Sequence, residues 1–238
     1  MLRQLQKLGL NNLKGEDGRA LCASIDKMNH LKCLDLNAIS EDEVLDLESI
    51  STPPEFIRSL YLMGRLEQLP SWISNLQHLV KLGIYLSRLR DSPLKALQNL
   101  PNLSDLRLGQ MGYDGGQLHF EGGGFQKLRK LKLGEMEGLN SLIIDNGVMP
   151  LLQEFHIGPC PQLKEVPSGI HHLRNLRYLW IYDMPKEFAQ QMDPNNGPHY
   201  WIVRHIRHVV FSYKFDPGSG EYERHSLYDS DFSFWSNA

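Results

Sequence analysis

Residues 70–84 read Pro70-Ser71-Trp72-Ile73-Ser74-Asn75-Leu76-Gln77-His78-Leu79-Val80-Lys81-Leu82-Gly83-Ile84, and residues 167–181 read Pro167-Ser168-Gly169-Ile170-His171-His172-Leu173-Arg174-Asn175-Leu176-Arg177-Tyr178-Leu179-Trp180-Ile181. Proline, serine, isoleucine and three leucines keep one register across the two stretches, which marks an internal repeat. Each stretch ends on the triplet apolar-x-x-apolar-x-apolar. The triplet also stands at Leu5/Leu8/Leu10, Leu31/Leu34/Leu36, Ile57/Leu60/Leu62, Leu103/Leu106/Leu108, Leu128/Leu131/Leu133 and Leu152/Phe155/Ile157. Eight copies follow one another at steps of 22 to 26 residues. In the alternating part of each triplet the apolar residues point to one face of a short strand and the intervening residues to the other. One such strand cannot bury its own apolar face, so the copies must stack.

That step lies within the roughly 20–29 residues of a leucine-rich repeat. The expected fold is an α/β solenoid: a leucine-rich-repeat horseshoe of about eight repeats, with parallel strands on the concave side, an irregular convex side and a C-terminal aromatic cap. The composition agrees. Of 39 leucines, 38 precede residue 180, whereas 13 of the 22 aromatics fall between Trp180 and Trp235. Residues 1–184 are therefore read as the solenoid, 185–215 as a capping segment and 216–238 as a mobile tail. After Ile181 the pattern is read as ended. Pro185 to Met192 is expected to form a closing helix with Asp183 as its cap, and Tyr200 to Phe215 to cover the last repeat. Because Leu2 and Leu5 are already in register, the chain is expected to be the C-terminal piece of a longer protein.

Charge and cysteine content narrow the function classes. A formal net charge of -3 carries no footprint of a nucleic-acid binder. No apolar run approaches the ~18 residues that membrane insertion needs. Three cysteines, Cys22, Cys33 and Cys160, are too few and too irregular for a disulfide scaffold, and they favour a reducing, cytoplasmic location with a nuclear fraction left open. Cys160 itself is read as a small buried hydrophobe, because it takes the place where many solenoids carry a ladder asparagine. His205-x-x-His208, with His199 nearby, lacks a cysteine or carboxylate at ligand spacing and is read as a capping pair, so no metal is expected. The adjacent His171 and His172 are read as surface loop. No nucleotide-binding Gly-x-x-x-x-Gly-Lys loop and no Gly-x-Ser-x-Gly nucleophile elbow is present, so neither a cofactor nor catalysis is expected.

With the leucines committed to the core, function is sought at the intervening positions. Eight strands ~4.8 Å apart make a concave row roughly 34 Å long, a footprint suited to a protein and larger than a small molecule needs. The residues expected to bind there are Tyr61, Tyr85, Arg107, Lys130, Lys132, His156, Tyr178, Trp180 and Tyr182. Arg107, Lys130 and Lys132 form a basic centre with Asp105 beside them, and the aromatics form an anchor at the C-terminal end. An alternative for Trp180 is that the tail folds over it. Glu41, Asp42, Glu43, Asp46 and Glu48 make an acidic loop, either solvated or a docking face.

Three stretches in order carry a resemblance: Leu60-x-Leu62-x-Gly64-x-Leu66-x-x-Leu69-Pro70-x-Trp72-Ile73, then Leu100-Pro101-Asn102-Leu103, then Leu152-x-x-Phe155-x-Ile157-x-x-Cys160-x-x-Leu163-x-x-Val166-Pro167. In these the chain resembles the C-terminal leucine-rich-repeat region of plant disease resistance proteins of the coiled-coil, nucleotide-binding type. The resemblance implies an interaction module of an intracellular immune receptor, giving effector recognition and autoinhibition of a nucleotide-binding switch that lies outside this chain. The implied partners are the nucleotide-binding domain of the same receptor and a pathogen effector or guarded host protein. A generic cytosolic scaffold, or a ubiquitin-ligase substrate receptor built on similar repeats, is the alternative.

Overall fold

The computed structural model describes residues 4–214 and 221–228. In chain order the elements are β1 (Lys7–Leu13), α1 (Gly18–Ile25), β2 (Cys33–Ala38), β3 (Ser59–Met63), β4 (Lys81–Tyr85), α2 (Leu94–Leu97), β5 (Asp105–Gly109), β6 (Gln117–Phe120), β7 (Lys130–Leu133) and β8 (Ser141–Ile144). They continue as β9 (Glu154–Ile157), β10 (Tyr178–Tyr182), α3 (Lys186–Gln190), α4 (Tyr200–Val203), β11 (His208–Lys214) and β12 (Tyr222–Ser226). A ten-stranded sheet runs β1-β2-β3-β4-β5-β7-β9-β10-β11-β12, and only its last pair is antiparallel. All eight triplets of the sequence lie in it as parallel neighbours. Leu34, Leu60, Leu82, Leu106, Leu131, Phe155 and Leu179 are aligned strand to strand and are buried, as are the residues two places on.

The entry edge of the sheet is closed by backbone pairs, with Asn102 and Asn175 each adding a side-chain amide that donates to the preceding coil, to Gln77 O at 2.8 Å and Pro150 O at 2.7 Å. The carbonyl of Lys32 accepts from both Arg58 N and Ser59 N, and that of Arg58 from Val80 N and Lys81 N. Val80, Ser104, Arg129 and Gln153 continue the same two-for-one pattern. Coil-to-coil pairing on this edge thus rests chiefly on main-chain groups that satisfy one another.

The convex side is short turns and a second, small sheet. Pro70 and Pro167 each open a 3-10 turn, Ser71–Asn75 and Ser168–His172, since proline presets φ and needs no donor at that place. In the first turn Trp72 is buried and donates its indole N–H to Leu47 O at 2.9 Å. In the second the matching residue is Gly169, where a Cβ would stand 2.0 Å from Ile144 O. The reason is β8, whose backbone presses on the turn where the tryptophan sits one half-horseshoe earlier. The extended pair Leu118/Phe120 is β6, and its parallel partner β8 was not expected from the sequence.

Four further expectations are corrected. The repeat does not end at Ile181: β11 pairs in parallel with β10, and Ile206, Val209 and Phe211 form a ninth triplet, all buried. It begins 30 residues after Leu176, a step lengthened by α3 and α4. The segment read as a mobile tail contains a strand, since residues 222–226 form β12 on the edge of β11; residues 215–220 and 229–238 lie outside the described part. Asp183 does not cap α3, whose flanking residue is Pro185; it sits at φ 41° and accepts from Lys214 N at 2.8 Å, tying β11 to the exit of β10. His171 and His172 are not independent loop residues, since their rings lie 3.7 Å apart and His171 also meets Trp201 at 5.2 Å.

Candidate functional site

Strand register brings the concave side chains into rows. The middle row is Asp35, Tyr61, Gly83, Arg107, Lys132, His156, Trp180. From Tyr61 to Trp180 is five strand steps, or roughly 24 Å. The row before it holds Lys81, Asp105, Lys130, Glu154 and Tyr178; the row after holds Tyr85 and Tyr182. All nine residues expected from the sequence thus share one surface.

Its N-terminal part is built on a missing side chain. A Cβ on Gly83 would lie 2.5 Å from Tyr61 Cδ1 and 2.8 Å from Tyr85 Cε2, so the glycine makes room for the two rings. Burial raises the pKa of both tyrosine hydroxyls, and the nearby Arg107 offsets part of that rise. Arg107 is held by Asp105, two residues back on the same face, with Nε donating to Oδ1 at 3.0 Å and Nη2 to Oδ2 at 2.9 Å. That pairing raises the arginine pKa further still, so its charge is fixed. Lys130 is paired in turn, with Glu154 at 2.8 Å. Lys132, exposed between Arg107 and His156, has no ion-pair partner among the described residues.

Toward the C-terminus the row becomes aromatic. His156 stacks on Trp180 at 6.0 Å and on Tyr182 at 5.9 Å, and its Nδ1 lies 3.3 Å from the Tyr182 hydroxyl. Burial lowers the His156 pKa, Glu154 opposes that shift, and Lys132 adds to it. The tail covers Trp180 in part: Arg224 of β12 lies over its ring at 5.9 Å, and Tyr222 meets Tyr182 edge-on at 6.1 Å, while Tyr182 and Trp180 stay half-buried. Tyr178, stacked on His208 at 4.7 Å, is the open member of the trio at 39% exposure.

Sequence reading missed the floor of this region. Gly109, Gly134 and Gly158 stand at the exits of β5, β7 and β9 and leave a cleft of about 340 Å³ between Tyr85 and Tyr182, edged by Lys132, Glu135 and Tyr222. A glycine directly after the last apolar residue of three successive triplets was the available signal. The glycines are needed for close packing: a Cβ on Gly134 would meet Gly158 O at 2.9 Å, and one on Gly158 would meet Tyr182 O at 1.9 Å.

The other flagged residues serve the fold. Within the acidic loop, Glu43 accepts from Gly15 N at 2.6 Å, Glu48 accepts from Ser71 N at 2.9 Å and from the Ser71 hydroxyl, and Glu41 lies 3.8 Å from Arg88. His199 contacts Gln191 at 2.8 Å, and His205 contacts Leu173 O at 3.3 Å. Cys160 is fully buried, which pushes its thiol up to about 11 and keeps it protonated. No described helix is long and apolar enough to cross a membrane.

Comparison with known proteins adds a lineage to this geometry. The model of a family described as leucine-rich repeat region matches residues 1–192. Disease resistance protein RPM1 of Arabidopsis thaliana is 32% identical over 218 residues, covering 92% of this chain and 23% of that protein. Probable disease resistance protein RF45 of the same plant is 30% identical over 214 residues, covering 90% and 20%. Disease resistance protein RPP8, also from Arabidopsis thaliana, is 28% identical over 193 residues, covering 80% and 21%. The chain thus spans about a fifth of the length of these relatives. Among solved structures, an internalin from Listeria monocytogenes has a TM-score of 0.41 at 17% identity, covering 78% of this chain and 65% of that one.

Proposed function

Because the chain belongs to the leucine-rich repeat region family, we propose that it is the protein-recognition module of a plant disease resistance receptor. Its concave face holds a nucleotide-binding switch, carried on another part of the receptor, in the off state. A pathogen effector or a guarded host protein that competes for that face shifts the equilibrium to the on state. One observation carries the reading: the unbroken row Tyr61-Gly83-Arg107-Lys132-His156-Trp180, in which a cation without an ion-pair partner adjoins stacked aromatics on a rigid parallel sheet. Aromatic and arginine side chains held at the centre of a surface are the usual anchors of a protein interface. The reading assigns no reaction to the chain.

The test is co-precipitation of this chain with the nucleotide-binding domain encoded at the same locus, comparing wild type with a Tyr178→Ala, Lys132→Glu pair. Both residues are exposed, so the pair leaves the core intact. Binding by wild type and its loss in the variant supports the reading. Failure of the folded wild type to bind removes the switch from the proposal and returns the weight to a general scaffold.

A further inference from the structure

The net charge of -3 conceals a separation of charge between the two edges of the horseshoe. Residues that lead into the strands lie along one edge, and residues that leave them lie along the other, because all the repeat strands run in parallel. On the entry edge stand Lys7, Lys32, Arg58, Lys81, Arg129 and Arg177, all exposed. On the exit edge stand Glu41, Glu67, Asp91, Asp114, Glu135 and Asp183. Two of the exit-edge arginines are occupied locally, Arg65 with Glu67 at 2.8 Å and Arg88 with Glu41 at 3.8 Å, while Arg90 stands beside Asp91. On the entry edge the position is reversed. Its acids Asp105 and Glu154 are taken up by Arg107 and Lys130, with Glu55 the exception, while Lys7, Arg58, Lys81, Arg129 and Arg177 form no ion pair among the described residues. The same carbonyl ladder that closes this edge spaces the cations: Lys32, Arg58 and Arg129 are residues whose main-chain oxygens stitch successive coils.

Near the N-terminal end the edge opens into a cleft of about 380 Å³ lined by Lys32, Phe56, Arg58, His78, Val80 and Asn102. Phe56 is 44% exposed and stacks on His78 at 5.7 Å, an apolar anchor between two cations. Lys32 is steadied by Gln6, which accepts from Nζ at 3.3 Å. Unpaired cations around an exposed ring are complementary to carboxylates flanking an apolar residue. We infer that this entry edge, centred on the Lys32–Arg58–His78 cleft, is a second docking surface, which meets the concave face only at Lys81, Asp105 and Glu154, and that it takes an acidic segment of a partner protein. A nucleic-acid strand fits the surface less well. The paired Asp105 and Glu154 interrupt the positive stripe midway, whereas a phosphate backbone rewards an uninterrupted one.

The probe is a fluorescein-labelled oligoglutamate peptide with one central phenylalanine, read by fluorescence polarisation against this chain. Binding is expected at low salt and is lost at about 0.5 M salt, where screening falls to a few ångströms. The pair Lys32→Glu and Arg58→Glu is expected to weaken it about tenfold or more, and the milder Lys32→Ala with Arg58→Ala to weaken it less in the same direction. Asp91→Lys with Asp114→Lys, on the other edge, is expected to leave it within about twofold of wild type. Absence of salt-sensitive binding by wild type, or unchanged binding by the charge-reversed pair with intact circular dichroism, overturns the inference. Tighter binding of an oligonucleotide of equal charge also overturns it, in favour of a nucleic-acid surface. Neither variant touches the concave row, so the outcome is independent of the recognition role proposed above.

Discussion

The two ends of the large sheet contrast in how they treat the same side chains. At β1 the triplet Leu5/Leu8/Leu10 has a neighbouring coil on one side only among the described residues, and all three leucines are half-buried. At β11 the triplet Ile206/Val209/Phe211 is packed between β10 and β12 and is buried throughout. The residue types are equivalent, so the difference lies in the neighbours: a rung of this ladder is buried by the coils on both sides of it. The contrast extends to chemistry. The histidines with lowered pKa, His156, His172 and His205, all lie toward the C-terminal end.

Substitutions can break or sharpen that comparison. The largest effect is expected in the interior, where both neighbours are present. Leu106→Arg places a charge at a fully buried position between Leu82 and Leu131 and is expected to cost more than about 4 kcal/mol. A soluble variant that melts with wild type would remove the assigned core. At the C-terminal end Phe211→Ala is expected to cost about 3–5 kcal/mol in urea unfolding, whereas Leu8→Ala at the other end is expected to cost about 1 kcal/mol. Equal losses at the two ends would mean that β12 contributes no burial to the ninth rung. On the convex side Gly169→Ala is expected to cost about 1–3 kcal/mol, because the new Cβ meets Ile144 O and β8 must shift. The loss should shrink if β8 is loosened first by Ile144→Ala.

The smallest effect is in pH. His156 is half-buried, and the desolvation puts its pKa in the folded chain below the 6.5 of a free histidine, with Lys132 adding to the shift and Glu154 opposing it. Below about pH 6.5 the unfolded chain binds the proton more readily than the folded one, so stability falls as the pH falls through that value and onward to the folded pKa. Above it the group contributes no pH dependence. His156→Gln should flatten the melting temperature between pH 7 and pH 5, though only partly, since His205 is shifted the same way by burial. A slope identical to wild type would assign the pH response to the other histidines.

How much of this was legible in advance depended on phase rather than composition. Leu106 and its counterparts could be placed because eight triplets recur at nearly constant steps. Ile206/Val209/Phe211 has the same pattern but arrives after a 30-residue step, so by spacing alone it reads as a covering segment. Leu139/Leu142/Ile144 is another triplet, only 11 residues after Leu128, and it lies in β8 on the convex side. The pattern names a strand with one buried face; only its spacing names the side of the solenoid. The candidate site was readable as positions, since alternation put Tyr61, Arg107, Lys132, His156 and Trp180 on one face. Its charge state was not, because the Asp105 clamp, the Glu154 partner of Lys130 and the arginine of β12 over Trp180 depend on distances that no spacing encodes.

The reversed direction of β12 also bears on how such a molecule can change in length. A duplicated coil adds itself by offering a parallel edge to the next, and the strands of the large sheet from β1 to β10 do so. β12 runs the other way and carries Glu223 and Arg224 on its exposed strand. A repeat copied in after it would meet the wrong hydrogen-bond polarity and an edge studded with charge, the same device that keeps open sheets from adding strands of other molecules. Among the described residues the parallel register that lets one coil follow another therefore stops at β11. Before that point a whole unit can be inserted or removed without disturbing the terminal strand.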